Sequence, residues 1–202
     1  MQILSKQDVR SALITGLTTG IIAWRLVAFL VSVIPFGINP ILLVPLIPLL
    51  WLAGVQLGYF LARYFEFFRR FGRFAAIGFT NAAVDFGVLF LLIGITGHNS
   101  GVYFSLFKAA SFAVAAFHSY YWNKFWAFDS GASHGGAVEI AKFLAVSGVA
   151  IGVNVIVASL VVVAGPVAGL DANQWAGVGA VVGSAVALVF SFVGFKLYVF
   201  HK

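Results

Sequence analysis

The sequence contains no cysteine, which excludes disulfides, thiol chemistry and Cys-ligated metals and leaves the redox compartment unmarked. Charge is nearly as scarce. Asp, Glu, Lys and Arg together make up 9% of the 202 residues, against roughly 25% in soluble domains. A chain this poor in polar surface cannot coat a water-soluble globule. What it has instead is hydrocarbon, with 62% hydrophobic residues and a mean hydropathy of +1.05. A membrane helix needs about 20 apolar residues, so six crossings use roughly 120 to 140 and leave little for a soluble domain. The fold class expected is all-α integral membrane.

Six apolar stretches fall at 12–34, 40–62, 74–96, 102–123, 143–165 and 175–195. Lys6, Asp8 and Arg10 precede the first, which is long and has no small-residue cleavage site, so it reads as a retained signal-anchor. Three connections are free of Lys and Arg: Gly37-Ile38-Asn39-Pro40, Gly97-His98-Asn99-Ser100-Gly101, and the segment Pro166 to Gln174. The net charge of +6 lies on the other side. Lys6, Arg10, Arg63, Arg69, Arg70, Arg73, Lys124, Lys142, Lys196 and Lys202 all flank that side, and only Arg25 and Lys108 fall inside crossings. This distribution is no soluble patch for nucleic acid. Positive loops stay cytoplasmic, so both termini are expected inside a multi-pass protein of the cytoplasmic membrane. Pro45 and Pro48 interrupt the second stretch and leave a re-entrant hairpin as a rival to the first two crossings.

The last four crossings contain a duplication. Ser119-Tyr120-Tyr121-Trp122-Asn123-Lys124-Phe125-Trp126-Ala127-Phe128 matches Ser191-Phe192-Val193-Gly194-Phe195-Lys196-Leu197-Tyr198-Val199-Phe200 in its Ser, Lys, aromatic and final Phe positions. Arg73-Phe74-Ala75-Ala76-Ile77-Gly78 matches Lys142-Phe143-Leu144-Ala145-Val146-Ser147 more weakly, and that register sets Asp85 opposite Asn154. Each copy holds two crossings, so the copies share an orientation and form a parallel repeat.

A basic-Phe start to the first helix and Asn123-Lys124-Phe125-Trp126-Ala127-Phe128 at the end of the second resemble the GtrA-like membrane proteins, over about Phe71 to Phe200. The basic position is commonly Arg in that family and is Lys124 here, while Phe195 stands where the second copy often has Asn. The domain organisation expected is a hairpin extension and basic linker over 1–70, then a four-helix core over 71–202, with repeats 71–128 and 140–200. The resemblance implies handling of polyprenyl-phosphate-linked sugars for cell-surface polysaccharide synthesis, as a flippase beside a membrane glycosyltransferase, with no cofactor.

Ionisable groups in hydrocarbon cost at least about 2.5–3.5 kcal/mol and need a partner or a cavity. Arg25, Asp85 and Lys108 are the three. Asp85 shares a helix face with Asn81 one turn earlier. The short loop makes crossings three and four an antiparallel hairpin, which allows an Asp85–Lys108 pair. Such a pair either locks the bundle or offers the cation to a lipid phosphate and Asp85 to sugar hydroxyls or a proton. Asn154 is the corresponding polar group of the second repeat. Lys108, Ser111, Ala115, His118 and Trp122 form one stripe of the fourth crossing. His118 stands without ligand-spaced partners and reads as a core histidine rather than a metal ligand. Asn123, Lys124, Trp126, Lys196 and Tyr198 mark the cytoplasmic interface; they either anchor helices there or, with Arg73 and Lys142, capture a lipid phosphate. Gly148-x-x-x-Gly152 and Gly179-x-x-x-Gly183 are expected at close helix contacts within or between subunits.

Two functions remain open: carriage of a polyprenyl-phosphate sugar, or a non-transporting partner that stabilises a glycosyltransferase. A small multidrug or ion carrier is a further option, since an intramembrane acid can couple to protons. An enzyme is disfavoured, since Ala127 to Ala141 offers Asp129, His134 and Glu139 without a phosphate cradle or paired carboxylates. A homo-oligomer is expected because four to six helices enclose little space.

Overall fold

The computed structural model describes residues 4–30, 39–98, 101–130, 136–165 and 172–200, and within its helices leaves aside some side chains, Lys108 among them. The far end of the first crossing, Gly37, Ile38, Asn99, Ser100, His134 and the segment 166–171 lie outside the described residues. The described part is helical throughout: α1 Lys6–Leu30, α2 Leu43–Leu61, α3 Phe67–Thr96, α4 Gly101–Trp122, α5 Gly136–Val163 and α6 Ala172–Gly194. Five segments are long and apolar enough to cross a membrane, in α1, α2 with its preceding turn, α3, α5 and α6. Helix α4 is not among them, yet its 22 residues extend about 33 Å at 1.5 Å per residue beside α3. The chain is an all-α integral membrane protein.

Local sequence explains the helix starts. Ser5 Oγ accepts from the Asp8 amide at 3.1 Å while the Asp8 carboxylate accepts from the Ser5 amide at 3.2 Å, a reciprocal cap that begins α1 six residues before its apolar run. Asn39 Oδ1 accepts from the Ile41 amide at 3.0 Å, and Pro40 opens the short 3-10 turn Pro40–Leu42 that leads into α2. Pro45 falls in the first turn of α2, where no intrahelical donor is lost. Pro48 lies deeper but is buried: a Cβ on Gly16 would stand 2.5 Å from its Cα. Helices α1 and α2 thus form a continuous antiparallel pair, in which Gly16 and Gly20 of α1 admit Pro48 and Val44.

Two compact units result, Met1–Asp129 and Ser130–Lys202. In the first, α3 runs parallel to α1 and antiparallel to α2 and α4. Gly58 and Gly72 bring α2 against α3, and Gly87 admits Ile22 of α1. The buried face of α1 is small and hydroxylated, comprising Ser11, Ala12, Thr15, Gly16, Thr19 and Gly20, while Leu13, Ile14, Leu17 and Ile21 are exposed. That inversion is what lipid requires, since apolar surface gains nothing by leaving hydrocarbon and small residues let backbones close. Thr80 of α3, fully buried, accepts from Thr19 Oγ1 at 3.0 Å and from Trp51 Nε1 at 3.2 Å, joining three helices through one hydroxyl.

The second unit is the antiparallel pair α5–α6, where Gly194 abuts Val146. It repeats the α3–α4 pair in detail. Each second helix ends in a five-residue π-helical turn, Asn123–Ala127 and Phe195–Val199, closed by Phe128 N–H to Asn123 O at 2.9 Å and Phe200 N–H to Phe195 O at 2.8 Å. In each, a Phe in the first half of the first helix packs on the Phe that follows the turn: Phe74 with Phe128 at 6.0 Å, Phe143 with Phe200 at 6.4 Å. Gly148 and Gly152 do not serve packing within the unit. A Cβ on Gly148 or Gly152 would meet nothing within 4 Å, because that face of α5 has no helix against it within its unit.

Candidate functional site

Two polar groupings lie on the first unit, joined by the α3–α4 hairpin. The first gathers at the end where α1 and α3 begin. Asp8, 1% exposed, accepts from Ser5, Tyr59, Arg73 and Trp126. Arg73 Nε stands 2.7 Å from Oδ1 and Arg73 Nη2 donates to Oδ2 at 3.1 Å. Trp126 Nε1 donates to Oδ1 at 3.0 Å, Tyr59 OH to Oδ2 at 2.8 Å, and Ser5 Oγ to Oδ2 at 2.7 Å. Arg73 also donates to Tyr59 OH and, through Nη1, to the Trp126 carbonyl at 3.3 Å. Gln7 Nε2 reaches the Phe125 carbonyl at 2.9 Å. The π-helical turn is what makes this assembly work. Its extra residue swings Trp126 inward, and its widened carbonyls face the Arg73 and Gln7 donors.

The second grouping lies midway along the hairpin. Ser111 Oγ donates to Asp85 Oδ1 at 2.6 Å, with Ser111 fully buried. This bond sets the register of α3 and α4. Asn81, one turn from Asp85, and His118, two turns from Ser111, occupy the same facing stripes. Asn81 Oδ1, His118 Nδ1 and Asn123 Oδ1 are buried atoms without a hydrogen-bond partner among the described residues. From Asp85 the polar groups therefore descend toward Arg73, about 18 Å away along α3 at 1.5 Å per residue.

The structure separates the residues singled out from sequence. Asp85 and Asn81 share a face as expected, and Ser111 is the α4 residue seen to bond Asp85; the Lys108 side chain lies outside the described residues. Asn123 donates to Ser119 O at 2.8 Å, and Lys124, buried, donates to Tyr120 OH at 3.3 Å. Trp126 and Arg73 both point at Asp8. Arg25 is exposed, with its guanidinium 5.6 Å from the Trp24 ring centroid.

In the second unit Asn154, opposite Asp85 in the repeat, has Nδ2 3.4 Å from Ser184 Oγ, one position beyond the Gly183 that corresponds to Ser111. The end cluster has no counterpart of that kind. Lys142 and Lys196 are exposed, and Tyr198 is 66% exposed where Trp126 is 1% exposed. Sequence reasoning missed Asp8, Tyr59 and Ser111 as partners of the singled-out groups. Ser5-x-x-Asp8 ahead of a run of hydroxyls at three- and four-residue spacing was the available signal for Asp8.

A family model described as GtrA/DPMS, transmembrane domain, matches residues 73–200. The chain belongs to the GtrA/DPMS transmembrane family. Neither a curated protein nor a solved structure matches it. The GtrA/DPMS region begins at Arg73 and covers α3 to the second π-helical turn. Both repeats and the Asp85–Ser111 grouping fall inside it, whereas Asp8, Tyr59 and Arg25 come from the preceding hairpin. The end cluster therefore joins two donors of the GtrA/DPMS region, Arg73 and Trp126, to an acid supplied from outside it.

Proposed function

We propose that the protein carries a polyprenyl-phosphate-linked sugar across the cytoplasmic membrane, for cell-surface polysaccharide synthesis or glycosylation, with both termini on the cytoplasmic side. The observation that carries this reading is the line of buried polar groups on the α3–α4 hairpin. Asp85 is held by Ser111, and Asn81, His118 and Asn123 each retain a buried atom without a hydrogen-bond partner among the described residues. An unsatisfied buried polar atom costs about 1–3 kcal/mol, so such atoms in sequence mark a path that hydroxyl-rich headgroups or water complete. In this role Asp85 and Asn81 bond sugar hydroxyls, Asn154 does so in the second repeat, and the cations Lys108, Lys124 and Lys196 take the phosphate. The transporter reading needs no catalytic residue.

The alternative is a non-transporting partner that stabilises a membrane glycosyltransferase. It is favoured by the use of Arg73 and Trp126 inside the protein, where Asp8 occupies both. Transport of a labelled polyprenyl-phosphate sugar in proteoliposomes separates the two. Wild type is expected to move the lipid, and Asp85→Asn and Lys108→Ala to slow it about tenfold or more, the scale of one buried polar contact. If purified wild type moves none while its deletion still disperses the glycosyltransferase, the partner reading stands in its place.

A further inference from the structure

Helices α1 and α3 touch where Ile22 meets Gly87 and part beyond it, leaving a groove of about 450 Å³. Ile21, Ile22, Gly87, Leu91 and Gly94 are among its walls, and among the described residues Arg25 is the only lining residue with a polar side chain. The size and the make-up, an apolar trough with one placed polar group, are those of a small-ligand site. A second groove between α2 and α3, about 310 Å³, is lined without any charged residue.

Arg25 calls for an account. It stands 17 residues beyond Asp8 on the same helix, about 25 Å along the axis, and so near the far side of a hydrocarbon layer about 30 Å thick. A guanidinium at such depth needs an anion or water. Among the described residues no carboxylate lies within 4.0 Å of it, and its neighbour is the Trp24 ring. A planar cation with several donors suits phosphate oxygens. The remaining walls, Ile22, Leu26, Val84, Val88 and Leu91 among them, are apolar and suit a lipid chain.

We infer that the α1–α3 groove is a binding site for an isoprenoid phosphate, with the phosphate on Arg25 and the chain between the helices. The site lies at the end of the α1–α3 seam opposite the Asp8–Arg73 cluster, with Arg25 supplied from outside the GtrA/DPMS region and the α3 wall from within it. It rests on the proposed substrate class and not on whether that substrate is moved. Gly94 supplies a probe, because a Cβ there meets nothing within 4 Å; a leucine at that position takes up space in the groove it lines.

The test is photo-cross-linking of the full chain in nanodiscs with a diazirine-tagged polyprenyl phosphate, mapped by mass spectrometry. Cross-links are expected on α1 and α3 residues of the groove. Arg25→Gln is expected to lower the yield about tenfold, Arg25→Lys less, and Gly94→Leu comparably to Arg25→Gln, the scale of losing one charge-assisted contact. Untagged polyprenyl phosphate should compete; polyprenol and excess phosphatidylglycerol should not. Displacement by phosphatidylglycerol makes the groove an ordinary lipid crevice and overturns the inference, as does unchanged labelling of both Arg25→Gln and Gly94→Leu. Cross-linking that persists while proteoliposomes move no lipid removes the flippase reading alone. Transport without cross-linking removes this site alone.

Discussion

The Asp8 carboxylate and the Arg73 guanidinium, 65 residues apart in sequence, meet at 2.7 Å with 1% and 15% of their side chains exposed. Removing one partner of such a pair strands the other charge and costs about 3–5 kcal/mol. Asp8→Asn and Arg73→Gln are each expected to lower the unfolding midpoint in detergent. Because both changes break the same interaction, the double variant should lose less than the sum of the two, by about 0.5–3 kcal/mol. Strict additivity in that cycle would mean that Asp8 acts only as the helix cap.

Trp126 and Tyr198 hold equivalent places in the two repeats but differ in surroundings. Trp126 is 1% exposed and donates to Asp8, whereas Tyr198 is 66% exposed. Trp126→Phe keeps an aromatic ring and removes the donor to a charged acceptor, so a loss of about 1.5–3 kcal/mol is expected. Tyr198→Phe should stay within about 0.5 kcal/mol. Thermal unfolding of the two variants side by side reads the contrast, and equal losses would contradict the asymmetric geometry.

The glycines sort in the same manner. A Cβ on Gly16 would lie 2.5 Å from Pro48 Cα, and one on Gly58 2.7 Å from the Phe68 carbonyl oxygen. Neither backbone can yield without parting the helices, so Gly16→Ala and Gly58→Ala should each cost about 1–3 kcal/mol. Gly148→Ala and Gly152→Ala meet open space and are expected to be neutral or to gain up to about 1 kcal/mol from helix propensity. Unfolding midpoints for the four variants, compared in one detergent, check this order.

Those contrasts locate what the sequence makes legible. Hydropathy and turn residues mark all six helices, since membrane length and backbone satisfaction leave few alternatives. The duplicated Ser, Lys and Phe positions mark the paired ends of α4 and α6, where the same local sequence folds the same way twice, while the π-helical form of those ends appears only in the structure. Asp8 escapes because it sits among Lys6 and Arg10 and reads as a charged flank; its function depends on a partner in another helix. Gly148-x-x-x-Gly152 shows the limit of such a motif, since neither glycine meets a neighbour within its unit. The motif permits close approach, and only the fold decides which glycines meet a neighbour.

The absence of cysteine makes the orientation directly measurable, because any introduced thiol is the sole one. Lys and Arg flank Arg63 to Arg73 and Lys124 to Lys142 but are missing from the 97–101 connection, and positively charged flanks stay cytoplasmic. Asn99→Cys is therefore expected to react with an impermeant maleimide on intact cells. A thiol at Ser5, beside the charged start of α1, should react only after permeabilisation, although Ser5→Ala should precede it as a control for the lost cap, which contributes about 1 kcal/mol. Reversed labelling of the two positions would turn the molecule over. The Asp8–Arg73 cluster would then face outward and Arg25 inward, and the phosphate groove would open to the opposite leaflet.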